Sequence, residues 1–311
     1  MDRTTATNFT VLFMFLNLLF WTFVWEPLAT TLHMQTLTQL SLLQVVLFLI
    51  PCGLYLFFTK SSPQKMLRLN GISAKNAILV ILIAITVQPT MALLSFLSSF
   101  LFQNNVSTML YENSDANLFL LLISVALIPA ICEEFFFRGI VFSNFCNLRL
   151  SKACCITGFY FSLMHMDLQQ IVYTFGIGVL FCFLVYRTDT ILASILAHFT
   201  INTTQTILTT LSFRLEQQGI LSAIENLLMP KGQFYSIFIW FVCSLPFLIG
   251  FFWIFFKSTN PTPIETELGF LAYHPNRKCK EDPFDILFGC IIAIYVLFTV
   301  VPFVFSFFIN K

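Results

Sequence analysis

Residues 118–138 read LFLLLISVALIPAICEEFFFR, and this stretch decides the fold. An uncharged, mostly apolar run leads without a break into Glu133, Glu134 and Arg138. A helix crosses the apolar layer of a bilayer, which is about 30 Å thick, with roughly 20 such residues. We therefore predict a membrane-spanning helix whose charged groups face a polar interior, because charged side chains are costly against lipid.

Other apolar runs extend this prediction to the whole chain. They lie near 9–25, 40–58, 77–102, 153–166, 170–186, 190–211, 235–256 and 284–309. The runs at 153–166 and 170–186 are short and almost joined, which is typical of tilted or partly re-entrant segments. The predicted fold class is all-α: a polytopic helical membrane protein with about 8–9 transmembrane helices around a buried polar cavity. We expect a single integral membrane domain over 1–311, with a catalytic core at about 118–211.

Composition excludes several classes of protein. The chain is 58% hydrophobic and 10% charged, whereas soluble domains carry roughly 25% charged residues. A soluble enzyme and a disordered protein are thereby excluded. The formal net charge of +1 provides no basic field for nucleic acid. The expected partner is the lipid bilayer, and no nucleic acid is expected as a partner.

Loop charges predict the orientation. With nine spans and a cytoplasmic N-terminus, most of the 16 Lys and Arg residues fall on the cytoplasmic side, as the positive-inside rule requires. The exceptions are Arg214, Lys231 and Lys311. We expect an integral, multi-pass protein of the bacterial cytoplasmic (inner) membrane. The basic segment 60–76 is expected to lie along the inner headgroups, and the outer loop is expected at 212–234 and a cytoplasmic loop at 258–283.

Helix geometry separates the roles of the two neighbouring glutamates. Glu134 and Arg138 are i,i+4 neighbours and can pair. Glu133 points about 140° away from Arg138 on an α-helix. One carboxylate is therefore neutralised structurally while the other is left available. The alternative interpretation is structural: the two acids and the base simply end a helix at the membrane interface.

Two further segments place polar groups at membrane depth. His165 ends the apolar segment that begins at Phe161. A polar stripe at helical spacing lies in the run at 190–211. It is formed by Ser194, His198, Asn202, Gln205 and Thr209. Unpaired polar groups against lipid cost several kcal/mol, so this stripe must line a cavity or pack on other polar groups. Ordinary interhelical hydrogen bonding is the simpler explanation.

Counting depth at about 1.5 Å per residue allows Glu133, His165 and His198 to share one pocket, which we expect to open to the cytoplasm. A carboxylate with a histidine can activate water as a general base. A second histidine with the Asn202 amide can donate hydrogen bonds to a developing oxyanion. This set is sufficient for amide hydrolysis without a covalent intermediate.

Three ordered motifs resemble those of the CAAX protease and bacteriocin-processing (CPBP, or Abi) family, which includes the Rce1-type prenyl-protein endopeptidases. The motifs are Glu133-Glu134-x-x-x-Arg138, Phe161-x-x-x-His165 and His198-x-x-x-Asn202. The resemblance implies an intramembrane glutamate-type endopeptidase, whose expected partner besides the lipid bilayer is a membrane-associated protein or peptide substrate. It implies that Glu133 and His165 activate water, that His198 and Asn202 stabilise the oxyanion, and that Glu134 and Arg138 support the site or orient the substrate.

Alternatives to this interpretation remain. We expect no metal and no other cofactor, with zinc held by Glu133, His165 and His198 as the minority alternative. A family member without proteolytic activity would act as an immunity or regulatory protein. A proton-coupled transporter would use the same ionisable groups as a relay, but the chain shows no repeated pair of broken helices.

Overall fold

The computed structural model describes residues 3–103, 105–113, 115–145, 148–217, 233–259 and 283–309. Every regular element in these ranges is helical. The helices, numbered in chain order, are α1 (Thr4–Thr31), α2 (Thr36–Thr59), α3 (Pro63–Met66), α4 (Ala74–Ser99), α5 (Asn105–Glu112), α6 (Leu118–Phe142), α7 (Leu150–Leu163), α8 (Ile171–Thr188), α9 (Leu192–Gln217), α10 (Phe234–Ser258) and α11 (Ile286–Ser306). Seven of these helices, all except α3, α5, α7 and α9, are long and apolar enough to cross a membrane. The prediction of an all-α polytopic membrane protein is confirmed.

Helices α7 and α9 differ from the others for opposite reasons. Helix α7 has 14 residues, or about 21 Å, and is too short to cross an apolar layer of about 30 Å. Helix α9 has 26 residues, or about 39 Å, and crosses by its length although its polar stripe lowers its hydropathy. The predicted span at 153–166 is therefore wrong: this run is the shorter arm of a hairpin with α8.

One end of the bundle is defined by the points where α6 and α8 end and where α7 and α9 begin. We call this end the basic face; the opposite end, which carries α5, is the α5 face. At the basic face Arg68 contacts Asp189 at 3.0 Å and the Ser143 hydroxyl donates to the Met66 carbonyl. The α7–α8 hairpin therefore enters and leaves the bundle at the same face.

Part of the basic segment 60–76, which the charge pattern predicts to lie along the inner headgroups, packs against the helix bundle. Met66, Leu67 and Arg68 are buried, and the segment bends inward at Arg68, whose φ is 49°. Tertiary hydrogen bonds overrule the amphipathic pattern, because the Arg68 guanidinium and the Asn70 amide both bind Asp189.

Proline accounts for most of the irregular backbone in the described helices. Four π-helical segments each end two residues before a proline: Trp21–Trp25 before Pro27, Val45–Leu49 before Pro51, Ile123–Leu127 before Pro129, and Val296–Val300 before Pro302. Proline cannot donate to the carbonyl four residues earlier, and its ring clashes with that carbonyl. In each case the carbonyl four residues before the proline lies within the π-helical segment. The π segment Phe135–Phe142 has no proline at that distance and carries Arg138.

Helices α7 and α8 cross so closely that only glycine fits between them. A Cβ atom at Gly178 would lie 2.6 Å from the Gly158 Cα atom. A Cβ atom at Gly158 would lie 3.0 Å from the Phe175 carbonyl oxygen and from the Val179 nitrogen. Small residues permit such approaches between membrane helices, where van der Waals packing drives association. The crossing lies against α6, whose residues 136–142 are all buried.

The predicted loops at 212–234 and 258–283 fall largely outside the described residues. The structure describes the first only up to residue 217 and from residue 233, and the second only at 258–259 and from residue 283.

We expect Gly178→Ala to destabilise the protein by about 1–3 kcal/mol, because the added methyl group meets backbone and not a flexible side chain. The matched control is Gly176→Ala, two residues earlier on α8, where a Cβ atom would have no neighbour within 4 Å. Thermal unfolding in detergent should show a lower Tm for the first variant only. Equal Tm values for the two variants would contradict the close crossing.

Candidate active site

A buried ion pair forms the base of the site. Arg138 Nη1 lies 2.8 Å from Glu134 Oε1, and both side chains are fully buried. Arg138 Nη2 donates to the Gly178 carbonyl at 3.0 Å. The guanidinium lies between the Phe161 and Phe181 rings, 4.6 and 5.1 Å from their centroids. The predicted pairing of Glu134 with Arg138 is confirmed. Contacts with α7 and α8 also hold the guanidinium in place.

His198 lies between the two glutamates. Its Nδ1 atom is 2.9 Å from Glu134 Oε1, and its Nε2 atom is 4.0 Å from Glu133 Oε2. Glu134, held ionised by Arg138, can only accept hydrogen bonds. Nδ1 of His198 therefore carries a proton, and Nε2 is turned towards Glu133. The sequence motifs did not indicate this contact between the first and third motifs, which joins α6 to α9.

Glu133 is the carboxylate that the ion pair leaves available. Its Oε2 atom is buried and has no hydrogen-bond partner among the described residues. The Gln44 side chain, on α2, lines the same cavity as Glu133. Sequence reasoning missed Gln44; the available signal was a single amide inside the apolar run 40–58.

His165 lies just beyond the end of α7, and its surroundings orient its ring. Nδ1 is 2.8 Å from the Phe161 carbonyl oxygen, and the ring packs edge-on against the Phe161 ring. Because a carbonyl oxygen accepts hydrogen bonds, Nδ1 carries the proton of the neutral ring. The Nε2 atom then keeps a lone pair, which is the form that a base or a water-orienting group requires.

Asn202 has a structural contact that the sequence did not predict. Its Nδ2 atom donates to the Val125 carbonyl at 3.1 Å. That carbonyl is four residues before Pro129, which has no N–H to offer it. One amide hydrogen of Asn202 therefore ties α9 to the π segment of α6, and the second hydrogen remains for a ligand.

The four predicted catalytic residues line one cavity of about 330 Å³. The cavity wall is formed by residues of α2, α4, α5, α6, α7, α8 and α9, and by His165 beyond the end of α7. Glu134 and Arg138 lie behind this wall and are fully buried. Of the predicted polar stripe, His198, Asn202 and Gln205 line the cavity, whereas Ser194 is buried with its hydroxyl bonded to the Ile191 carbonyl.

The cavity wall reaches beyond the catalytic set. It includes Val106, Met109 and Leu110 of α5, and Thr206 of α9. These residues lie towards the α5 face, which the charge rule places outside. The expectation that the pocket opens to the cytoplasm stays a prediction.

A comparison with protein families matched residues 115–204 to the family described as Type II CAAX prenyl endopeptidase Rce1-like. This match supports the resemblance to the CPBP/CAAX protease family over that segment. The matched segment contains all six predicted site residues, and Gln44 lies outside it. Comparisons with curated proteins and with solved structures found no match.

Residues 115–204 are thus similar to the Rce1-like CAAX prenyl endopeptidases, and this segment carries most of the site. The family segment contributes the ion pair, both histidines and the amide, while α2, α4 and α5 complete the cavity wall. Among the described residues, no group of three or more His, Cys, Asp or Glu side chains is placed to hold a metal ion.

We expect Arg138→Met to destabilise the protein by about 3–5 kcal/mol, because it leaves the Glu134 charge buried without its main partner. Adding Glu134→Gln should recover part of this loss, so that the double variant loses less than the sum of the single variants. Thermal unfolding in detergent measures both effects, with Lys75→Met as an exposed control. Strictly additive losses would contradict the coupling of the two residues.

Proposed function

We propose that the protein is an intramembrane endopeptidase that hydrolyses a peptide bond in a membrane-associated protein or peptide. In this proposal Glu133, assisted by His165, activates the attacking water. One observation carries the proposal: a buried carboxylate oxygen without a hydrogen-bond partner lies in a cavity that also contains both histidines and the Asn202 amide.

The charges of the site favour this chemistry. Glu134 and Arg138 neutralise each other at 2.8 Å. His198 lies between the two carboxylates, with its Nε2 atom 4.0 Å from Glu133 Oε2. When the reaction moves negative charge from Glu133 to the substrate oxygen, both positions of that charge are close to the same imidazole ring. The transition state is then stabilised without reorganising the site.

The proposed sequence begins when Glu133 takes a proton from water, while Nε2 of His165 orients that water by accepting its second proton in a hydrogen bond. The hydroxide oxygen bonds to the scissile carbonyl carbon, and the carbonyl electron pair moves to its oxygen. His198 Nε2–H and the second amide hydrogen of Asn202 stabilise this oxyanion. Glu133 then gives its proton to the leaving nitrogen as the C–N bond breaks, which yields a carboxyl group and an amine.

Glu134 and Arg138 have a positioning role in this scheme. They hold Nδ1 of His198 and so direct Nε2 to the cavity. Neither side chain lines the cavity, so neither is assigned contact with the substrate.

We expect Glu133→Gln to lower the rate of peptide hydrolysis by about 10²–10⁴-fold, because the amide cannot accept the proton of the attacking water. The Tm should stay close to that of the unmodified protein, since Glu133 Oε2 makes no hydrogen bond in the described structure. The assay uses purified protein with a library of quenched, lipid-anchored peptides. Glu112→Gln, an exposed change on α5, is the control. Full activity of Glu133→Gln would refute the assignment.

We expect activity to persist after exhaustive chelation, because the set supplies a base, an acid and oxyanion donors from side chains alone. Elemental analysis of active protein should find no stoichiometric zinc. Zinc that is lost together with activity in His198→Ala would instead favour a metal-activated water.

A further inference from the structure

The turn between α7 and α8 carries a chain of side-chain hydrogen bonds that reaches into the catalytic cavity. The Gln170 amide nitrogen donates to Asp167 Oδ2 at 3.0 Å, and the Tyr173 hydroxyl donates to the Gln170 amide oxygen at 3.0 Å. Gln170 and Tyr173 line the same cavity as Glu133 and His165. The proposed reaction sequence uses neither of these two side chains.

These hydrogen bonds are not the ones that hold the hairpin in the bundle. The turn is attached to α4 by Gln169, whose side-chain nitrogen donates to the Ser95 hydroxyl and carbonyl at 2.6 and 3.1 Å. By contrast, the bonds between Asp167, Gln170 and Tyr173 join residues three positions apart and reach no other helix. Their effect is to fix the direction of two polar side chains in the cavity wall.

The hydrogen-bond inventory of the two side chains leaves a donor and an acceptor. A primary amide has two N–H donors, and the bond to Asp167 takes one of those of Gln170. A phenol hydroxyl has one donor and two lone pairs, and Tyr173 spends its donor on the Gln170 oxygen. One Gln170 N–H and the lone pairs of the Tyr173 oxygen therefore stand side by side at the wall.

The register of the hairpin brings these groups to the level of His165. Helices α7 and α8 touch at Gly158 and Gly178. Counted from that crossing at about 1.5 Å per residue, Tyr173 lies about 7.5 Å, His165 about 10.5 Å and Gln170 about 12 Å along the hairpin. Because His165 orients the attacking water in the proposed mechanism, a peptide residue next to the scissile bond lies at this level.

The charge of the cavity wall limits how it can recognise a peptide. Glu133 is its one carboxylate, and no Lys or Arg lines it in the described part of the chain. Recognition there depends on apolar contacts and hydrogen bonds and not on ion pairs. In an extended chain the N–H and the C=O of one residue can both bond the same neighbour. A donor and an acceptor side by side suit that pair of groups.

We propose that Gln170 and Tyr173 bind the main chain of the peptide substrate beside the scissile bond. The Gln170 amide donates to a substrate carbonyl, and the Tyr173 oxygen accepts from the N–H of the same substrate residue. This inference rests on the proposed function. The subsite contacts backbone and not side chain, so it tolerates many side chains at this position but excludes proline, which has no N–H.

Peptide binding measured without hydrolysis tests the subsite. All proteins carry Glu133→Gln, and the probe is a fluorescent, lipid-anchored peptide with neutral side chains. Each backbone amide of the probe is replaced in turn by an ester, which has no N–H. Tyr173→Phe is the test variant. Tyr186→Phe is the matched control, because it removes a hydroxyl from the same helix outside the cavity wall.

At one position the ester should weaken binding by about 2–10-fold, the usual effect of losing one hydrogen bond. Tyr173→Phe should weaken binding of the parent peptide by a similar factor and abolish the difference between parent and ester at that position, whereas Tyr186→Phe should preserve it. A purely structural role of Tyr173 would lower the affinity for parent and ester peptides alike. An ester effect that persists in Tyr173→Phe, or no ester effect at any position, would overturn the proposal.

Gln170→Met tests the donor half of the subsite. It removes the amide while keeping an unbranched side chain, and it should weaken binding of the parent peptide by about 2–10-fold. An unchanged Kd would overturn the assignment of Gln170.

Hydrolysis by the protein with Glu133 intact separates this inference from the proposed function. Ester discrimination in binding, with no hydrolysis of any peptide, leaves the subsite and overturns the protease. Hydrolysis with no ester discrimination leaves the protease and overturns the subsite. Failure of every peptide both to bind and to be cleaved overturns both.

Discussion

The fully buried carboxylate of Glu134 is the constraint on which the site depends. A charge inside a bilayer must be paired and hydrogen-bonded. One oxygen of Glu134 accepts from both Arg138 and His198, so a single group joins α6 to α9. Arg138 extends the connection to α8 through the Gly178 carbonyl, and this carbonyl is within reach because Gly178 packs directly on Gly158. Two glycines far apart in sequence from the glutamates are thus part of the same arrangement.

Irregular backbone contributes directly to the site. Pro129 deprives the Val125 carbonyl of its helical donor, and Asn202 replaces that donor from α9. The same side chain is assigned to the oxyanion in the proposed mechanism, so its orientation is fixed before substrate arrives. Preorganised donors of this kind are effective because they need no reorientation during the reaction.

The cavity depends on a helix that does not cross the membrane. A full-length α7 would fill the region between its present end and the α5 face with side chains. The 14-residue helix ends at Leu163 and leaves His165 at the floor of the gap.

The sequence by itself determined the helical class, the membrane location and the identity of the polar groups, because apolar run length and the cost of buried charge act locally. It also determined the Glu134–Arg138 pair, since i,i+4 neighbours meet on one helix. The contact of His198 with Glu134, the presence of Gln44 in the cavity wall with Glu133 and the early end of α7 were decided only by the tertiary structure. Each depends on how separate helices cross and on where a short helix stops, and neither is encoded in the periodicity of a single segment.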